Sequence, residues 1–275
     1  MSTIFDKFSL KEQTAVVTGA CGLLGREFCR TLAQAGATVV AADINLEAAE
    51  KVVEEVIKPY SEGFAWQTNV VDPESVRTLV AQTVAKTGRL DVLVCSAAMD
   101  PKFDGIHGKH LATFENFPLE QWNDALNVNL TGLFLCAQAA VEPMKAQNHG
   151  VIINICSTYG LVGPDQRIYE RPGQDAESRQ FKPVYYSVTK AGVLGLTRYL
   201  ATYYAGTGIR ANCLTPGGVF NGHDDLFVKN YSARTVIGRM ANIDELSGGL
   251  LFLASDASSY MTGANLIVDG GWTAW

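Results

Sequence analysis

The sequence predicts an α/β fold, a doubly wound parallel sheet of about seven strands flanked by helices in a single domain. Three observations carry this expectation. Short β-branched, apolar runs alternate with helical patterns from one end of the chain to the other. Hydrophobic residues make up 47% of the 275 and charged residues 18%, which suits a large core and excludes a disordered chain. No linker, composition shift or internal repeat divides the chain, although its length would also admit two small domains.

Each element follows in order. Ala15-Val16-Val17-Thr18 is the first strand, and glycines and an apolar helical pattern run from it to about residue 35. Residues 37–42 form the second strand, and Asn45 caps a helix to about residue 58. Residues 64–70 form the third. Asp72-Pro73-Glu74 then opens a helix, with a capping Asp and Pro at the first helical position. Residues 91–95 are the fourth strand, 119–146 a long helix and 151–156 the fifth strand. A second long helix covers 184–204, the sixth strand 209–214, a capped helix 242–253 and the last strand 265–268. Residues 99–118 and 159–183 break the rhythm. Loops this long and this rich in charge, Gly and Pro are more often functional than idle.

Composition excludes several classes. With 22 basic against 28 acidic side chains and no Lys/Arg cluster, binding to nucleic acid or an anionic membrane is not expected. No apolar run reaches the ~18 residues of a membrane span, and no basic flank precedes an apolar stretch at the N-terminus. A cytoplasmic protein is expected. The cysteines Cys21, Cys29, Cys95, Cys136, Cys156 and Cys213 form no CxxC pair and read as reduced and mostly buried. His107 and His110 lie in a Gly/Lys-rich loop, no histidine cluster has zinc spacing, and no catalytic metal is expected.

Chemistry-bearing residues sit at the strand ends. Thr18-Gly19-Ala20-Cys21-Gly22-Leu23-Leu24-Gly25 lies between the first strand and the first helix. Glycines there let the backbone approach a pyrophosphate at a helix N-terminus, although glycines also simply form turns. The position favours a Rossmann-type dinucleotide site. Asp43, closing the second strand, can accept hydrogen bonds from ribose hydroxyls and would repel a 2′-phosphate, which points to NAD rather than NADP. It could also be a solvated strand-end Asp, and Arg26 is the one nearby cation. Tyr186-Ser187-Val188-Thr189-Lys190 places a phenol and an ammonium four apart on one helix face. A cationic neighbour should lower the phenol's pKa toward neutrality and make it a general acid/base, although the same pair occurs on ordinary helix surfaces. Ser157 ends the fifth strand, where such sheets present ligand contacts. Asn129 sits mid-helix, either as a polar interior residue or as the holder of a relay water.

Together these residues resemble the short-chain dehydrogenase/reductase family in its short single-domain branch, over nearly the whole chain. The landmarks are the glycine loop, Asp43, Asn129 in Val128-Asn129-Leu130, and Ser157 after Ile153-Asn154-Ile155-Cys156. Tyr186 with Lys190, Pro216-Gly217 and Val268-Asp269-Gly270-Gly271 complete them. The resemblance implies that Tyr186 exchanges a proton with the substrate oxygen and that Ser157 hydrogen-bonds that oxygen. Lys190 would lower the Tyr186 pKa and hold the nicotinamide ribose, and Asn129 would position a water joining Lys190 to solvent. It further implies NAD contacts from Gly19, Gly22, Leu24, Gly25, Asp43, Asn69, Val70, Ser96, Ala97, Tyr186, Lys190, Pro216, Gly217 and Val219. Leu23 stands where the short branch usually has its middle glycine. Cys95-Ser96-Ala97-Ala98 replaces the usual Asn-Asn-Ala-Gly, and Asn69 replaces an adenine-contacting Asp.

The insertion at 159–183 carries Asp165, Gln166, Arg167, Tyr169, Glu170, Arg171 and Arg179, as a phosphate- or polyol-bearing substrate would need, unless these charges only solvate a surface loop. Candidate substrate contacts are Tyr159, Arg167, Tyr169 and His223. His223, Asp224 and Asp225 either meet sugar hydroxyls or start a short helix. Ser157-Thr158-Tyr159-Gly160, Gly163-Pro164-Asp165, Ile168-Tyr169-Glu170 and Pro216-Gly217-Gly218-Val219 more loosely resemble a subgroup associated with bacterial surface-sugar and flagellin-glycan modification. The expected activity is NAD(H)-linked interconversion of a secondary alcohol and a ketone on a polar, sugar-derived small molecule. The alternatives are a reductase of 3-oxoacyl or other small carbonyl compounds and a non-enzymatic nicotinamide-nucleotide sensor. Tyr199, Tyr203 and Tyr204, with the indoles of Trp272 and Trp275, suggest an interface, and the resemblance implies a homotetramer or homodimer.

Overall fold

The computed structural model describes residues 3–100, 113–173 and 180–275. His107, His110, Arg179 and most of the first insertion lie outside the described residues. Seven strands, β1 (Thr14–Thr18), β2 (Thr38–Asp43), β3 (Gly63–Gln67), β4 (Val92–Cys95), β5 (Gly150–Ile155), β6 (Ile209–Pro216) and β7 (Asn265–Val268), form one parallel sheet in the order β3-β2-β1-β4-β5-β6-β7. The helices are α1 (Leu23–Gln34), α2 (Leu46–Val52), α3 (Pro73–Thr87), α4 (Leu119–Leu126), α5 (Gly132–Gln147), α6 (Val184–Tyr203), α7 (Asp225–Ser232) and α8 (Ser247–Ala254). This is the expected doubly wound, single-domain architecture.

Strand alternation divides the core into two layers. Ala15, Val17, Val39, Ala41, Val92, Val94, Val151 and Ile153 face α1, α2 and α8 through Phe28, Leu32, Leu250 and Leu253. Val16, Val40, Leu93, Ile152 and Cys213 face α3, α5 and α6 through Leu79, Leu133, Met144 and Val193. The six cysteines are unpaired, and all but Cys21 are buried. Among the described residues no helix is long and apolar enough to cross a membrane. Nor does any group of three His, Cys, Asp or Glu side chains there suit a metal ion.

Several elements differ from the sequence expectation. The helix expected over 119–146 is interrupted by a five-residue π-helical turn, Asn127–Thr131, which no local propensity signals. A similar turn, Val53–Ile57, closes the α2 helix. The Asn242 start is confirmed by a capping box with Glu245, but its first turn, Ile243–Leu246, is a 3₁₀ helix. Asp224 caps α7, its Oδ1 accepting from Phe227 N at 3.0 Å, so the segment after Pro216 does start a short helix. Trp272 is not an exposed indole: it is buried and stacked on Tyr231 with ring centroids 4.3 Å apart. Trp275 is 77% exposed, and Tyr199 and Tyr203 lie stacked on each other at the surface.

The first βα turn is held by close backbone approach. A Cβ at Gly25 would lie 2.1 Å from the Gly19 carbonyl oxygen, so Gly25→Ala must shift backbone. This variant is expected to lower stability by about 2 kcal/mol and to weaken dinucleotide binding. Gly248→Ala, where an added methyl meets no atom within 4 Å, should be neutral or stabilising. Thermal unfolding of the two variants with and without cofactor checks this; equal behaviour would contradict it.

Candidate active site

The site is assembled at the C-terminal ends of the strands, where the winding direction reverses between β1 and β4. Thr18 ends β1, and its hydroxyl accepts from the backbone N–H groups of Ser96 (3.3 Å) and Ala97 (3.4 Å). Gly19 has a left-handed backbone, φ +66°, and a Cβ there would lie 2.7 Å from Ala97 Cα. The glycine is therefore what lets the two diverging strand exits touch. Ala98 has no positive φ, so its replacement of the expected glycine carries no backbone strain.

α1 starts with Gly22 as N-cap, with no side-chain cap and no acidic residue in its first turn, which spans Leu24 and Gly25. Its positive end is thus left to an external anion, and the residues fit a dinucleotide pyrophosphate. Asp43 closes β2 and accepts from Cys21 N (3.0 Å) through Oδ2 and from Asn45 N (3.1 Å) through Oδ1. The carboxylate is thereby held beside the glycine loop. Arg26, the cation closest in sequence to that loop, is engaged by Glu55 at 2.6 Å. Asn69 Oδ1 already accepts from Val71 N at 3.2 Å, so one of its two lone-pair directions is left for an adenine amino group. Val70 packs on Gly132, where a Cβ would come within 2.8 Å of Val70 Cγ2. Pro216 pairs with Val268 at the end of β6. Gly217 is pressed against Asp269, and Val219 bridges to Ala241.

Ser157, Tyr186 and Lys190 converge. Ser157 follows β5, is buried, and accepts from Tyr159 N at 3.2 Å, capping a 3₁₀ turn. Its hydroxyl lies near enough to the Tyr186 phenol to lower that group's pKa. Lys190, one turn further along α6, donates to the Ile155 carbonyl at 2.9 Å, with Nζ 5.8 Å from the Tyr186 ring centroid. Burial pushes the Tyr186 phenol well above the ordinary tyrosine range, with the Asp100 charge adding to it and the Ser157 hydroxyl opposing. Burial likewise lowers Lys190. The direction differs from the expectation that Lys190 brings Tyr186 toward neutrality: burial raises the phenol, and the Lys190 ammonium is directed at a carbonyl. The Asn129 amide sits in the π-helical turn and clamps the chain leaving β4. Its Oδ1 accepts from Met99 N at 2.6 Å, and its Nδ2 donates to Met99 O at 3.1 Å and to Thr189 Oγ1 at 3.3 Å.

Three residues of the second insertion join an aromatic cluster beside this centre. Tyr159, Ile168, Tyr169, Phe227, Tyr231, Met240 and Trp272 form a small separate core, with Tyr186 packed against it. Tyr159 meets Tyr186 and Trp272 edge-on, and its hydroxyl bonds that of Tyr169 at 3.4 Å. Both tyrosines thus lie beside the site as members of this cluster. His223 stacks on Phe227 with centroids 4.9 Å apart, its Nδ1 accepts from Asn221 N, and loss of hydration lowers its pKa. Arg167 does not join them. It is 69% exposed and bonded to Asp165 through Nε (2.8 Å) and Nη2 (2.9 Å) in a surface ion pair. Arg171 likewise pairs with Asp224 at 2.7 Å.

Sequence reasoning missed Lys182 and Asp100. Lys182 Nζ lies 4.0 Å from the Tyr186 ring centroid and donates to Asp100 Oδ1 at 2.5 Å. The available signal was spacing, since Lys182 precedes Tyr186 by the same four residues by which Lys190 follows it.

Comparisons with known proteins agree with this geometry. The family described as short chain dehydrogenase matches residues 13–169, and that described as enoyl-(acyl carrier protein) reductase matches residues 175–273. A cis-4-hydroxycyclohexanecarboxylate dehydrogenase of Sinomonas cyclohexanicum is 35% identical over 96% of this chain and 97% of its own. A 3-oxoacyl-(acyl-carrier-protein) reductase of Thermotoga maritima is 32% identical over 95% of this chain and 98% of its own. The crystal structure of a gluconate 5-dehydrogenase from Burkholderia cenocepacia, in complex with NADP and tartrate, superposes with a TM-score of 0.84 at 30% identity, covering 99% of this chain and 100% of that one. The chain belongs to the short-chain dehydrogenase/reductase family and is a nicotinamide-dependent oxidoreductase acting on CH–OH groups.

Proposed function

We propose that this enzyme interconverts a secondary alcohol and a ketone on a polar, sugar-derived substrate, with NAD as the preferred cofactor. The observation that carries the reading is the convergence of Ser157 and Lys190 on Tyr186: the Ser157 hydroxyl is close enough to oppose the rise of the phenol, and Lys190 Nζ lies 5.8 Å from the Tyr186 ring centroid. A hydroxyl beside a phenol can share one substrate oxygen with it. Bound nicotinamide supplies the hydride acceptor for oxidation or the donor for reduction. Tyr186 takes the carbinol proton in oxidation and returns it to the carbonyl oxygen in reduction. Ser157 holds that oxygen in line, Lys190 holds the nicotinamide ribose, and Asn129 is a positioning residue that fixes the Met99 backbone beside them. The relay water expected at Asn129 would have to use groups other than those its amide gives to Met99.

The gluconate 5-dehydrogenase likeness supports a hydroxyl-rich substrate, as does the Lys182–Asp100 ion pair beside Tyr186. Reduction of a 3-oxoacyl compound is the second reading, favoured by the 32% identity to a reductase of that kind. The Ser157–Tyr186 arrangement supports an enzyme over a sensor, since nucleotide sensing needs no proton donor.

Tyr186→Phe should lower turnover by at least about 100-fold while leaving NADH affinity within about threefold. NADH fluorescence titration and initial rates on a panel of sugars, sugar acids and simple alcohols measure both, and unchanged turnover would overturn the assignment of Tyr186. The direction of the Tyr186 shift gives a pH expectation. A phenol raised above its ordinary range stays protonated at neutral pH, ready to donate in reduction and unable to accept in oxidation. Oxidation rates should therefore climb as pH rises through neutrality while reduction stays level until the pH nears the raised range of the phenol; a flat oxidation profile would contradict this. NAD should show the lower KM of the two cofactors, and Asp43→Ser should narrow the gap at least about tenfold by removing charge repulsion of a 2′-phosphate. An equal KM for NAD and NADP in the unaltered enzyme would remove the case for Asp43.

A further inference from the structure

We infer that Tyr231 is a positioning residue for the reaction: from α7 it ties together the chain ends leaving β5, β6 and β7, and so holds Ser157 in register with Tyr186. The inference rests on the reading of Ser157 and Tyr186 as the pair that meets the substrate oxygen, and adds the residue that keeps them in place.

Tyr231 is buried, and each part of its side chain meets a different strand exit. The hydroxyl accepts from Gly218 N at 2.5 Å, two residues past the end of β6. Gly218 O in turn accepts from Ala241 N at 2.9 Å, so both backbone polar groups of this residue are held. No side chain fits at 218, since a Cβ would lie 2.5 Å from Tyr231 Cζ and 2.8 Å from its hydroxyl oxygen. The face of the ring stacks on Trp272, past the end of β7, with centroids 4.3 Å apart and planes 23° apart. Trp272 is itself fixed by the turn before it, where the Asp269 carboxylate accepts from Gly271 N (2.9 Å), Thr273 N (2.9 Å) and Thr273 Oγ1 (2.7 Å).

The third exit is the one that carries Ser157. β5 and β6 leave the sheet side by side, with Ile155 paired to Leu214 and Cys156 N donating to Leu214 O at 2.9 Å. Ser157 then caps the turn Thr158–Gly160 by accepting from Tyr159 N at 3.2 Å, so its hydroxyl goes where the turn goes. Tyr231 reaches that turn by two routes. Trp272, stacked on Tyr231, meets the Tyr159 ring edge-on at 6.1 Å, and Tyr159 meets Tyr186 at 6.5 Å. The Thr158 side chain lies near enough to the Tyr231 hydroxyl to oppose the rise of its pKa. Burial otherwise pushes that phenol far above the ordinary tyrosine range, so it stays neutral, accepting from Gly218 N and keeping a proton to donate. A phenylalanine would fill the same space. What tyrosine adds is the hydroxyl, and its polar neighbours Gly218 and Thr158 stand at the exits of β6 and β5.

The test uses the full-length enzyme with NADH bound and its tyrosines labelled with carbon-13 at Cζ, the Tyr186 resonance being assigned by its loss in Tyr186→Phe. Tyr231→Phe, which keeps the stack on Trp272 and removes the hydroxyl, should displace that resonance. Tyr231→Leu, which removes both, should displace it further, and Met240→Leu, a packing change in the same cluster, should leave it in place. On whichever sugar, sugar acid or alcohol the unaltered enzyme turns over fastest, Tyr231→Phe should lower kcat at least about threefold and Tyr231→Leu at least about tenfold, with KM for NAD within about threefold. Both should move the oxidation profile to higher pH, because Ser157 opposes the rise of the Tyr186 phenol and a displaced Ser157 opposes it less. The other titratable groups near Tyr186 among the described residues, Asp100, Cys156, Tyr159, Lys182 and Lys190, are the same in both variants. A Tyr186 resonance that stays in place in both Tyr231 variants, or that moves equally in Met240→Leu, overturns the inference. So does a fall in kcat with the pH profile unmoved, the mark of a merely structural role. Should neither Tyr231 variant fold, Gly218→Ala pushes the ring from its other side, and an unmoved resonance there is equally fatal. Full turnover in Tyr186→Phe would sink the proposed reaction, and a resonance that still answers to Tyr231 would then leave the three-exit tie standing.

Discussion

Seven parallel strands end on one edge of the sheet, and the chain leaving β1 must diverge from the chain leaving β4, because α1 covers one face and α5 the other. That divergence is possible only if the two exits can pass in contact at the moment they separate. Gly19 provides it, with a left-handed backbone packed within a missing methyl's distance of Ala97. Thr18 ties the two exits together with its hydroxyl. The crevice above holds the uncapped end of α1 on one side and Asp43 on the other. Every later feature of the site is referenced to this crevice, because Ser157 and Pro216 come from the neighbouring strands β5 and β6.

Around the reacting phenol the dominant physics is desolvation. Tyr186 is neighboured by Tyr159, Lys182, Lys190 and Ser157, and the loss of water raises its proton affinity, with Asp100 adding to the rise and Ser157 opposing it. An acid that holds its proton is suited to reduction, so oxidation depends on what binding adds. The aromatic cluster to which the second insertion and α7 contribute packs against Tyr186, and Lys182, paired with Asp100, lies over the face of its ring.

Much of the fold was legible because its signals are local. Alternating apolar runs marked all seven strands, Asp72-Pro73 marked the start of α3, and Asn242 marked a helix start through a real capping box. The π-helical turn at Asn127–Thr131 was not legible, since its residues are compatible with an ordinary α-helix and only tertiary contact, including the Asn129 clamp on Met99, accompanies the wider turn. Arg167 was assigned to substrate from its residue type, whereas its nearest carboxylate, two residues away, captures it at the surface. Trp272 looked exposed near the end of the chain, but Tyr231 covers it.

Helical and strand periods, turn glycines and the Tyr186–Lys190 spacing are properties of neighbouring residues, and the sequence by itself determined them. It also carried enough ordered landmarks to mark the family and the reaction type. The tertiary structure alone decided the surroundings of the phenol. Lys182 and Asp100 are 82 residues apart, and Tyr159 and Trp272 are far apart in the sequence. No period or spacing encodes such pairs, because they depend on which strand exits the winding of the sheet brings side by side.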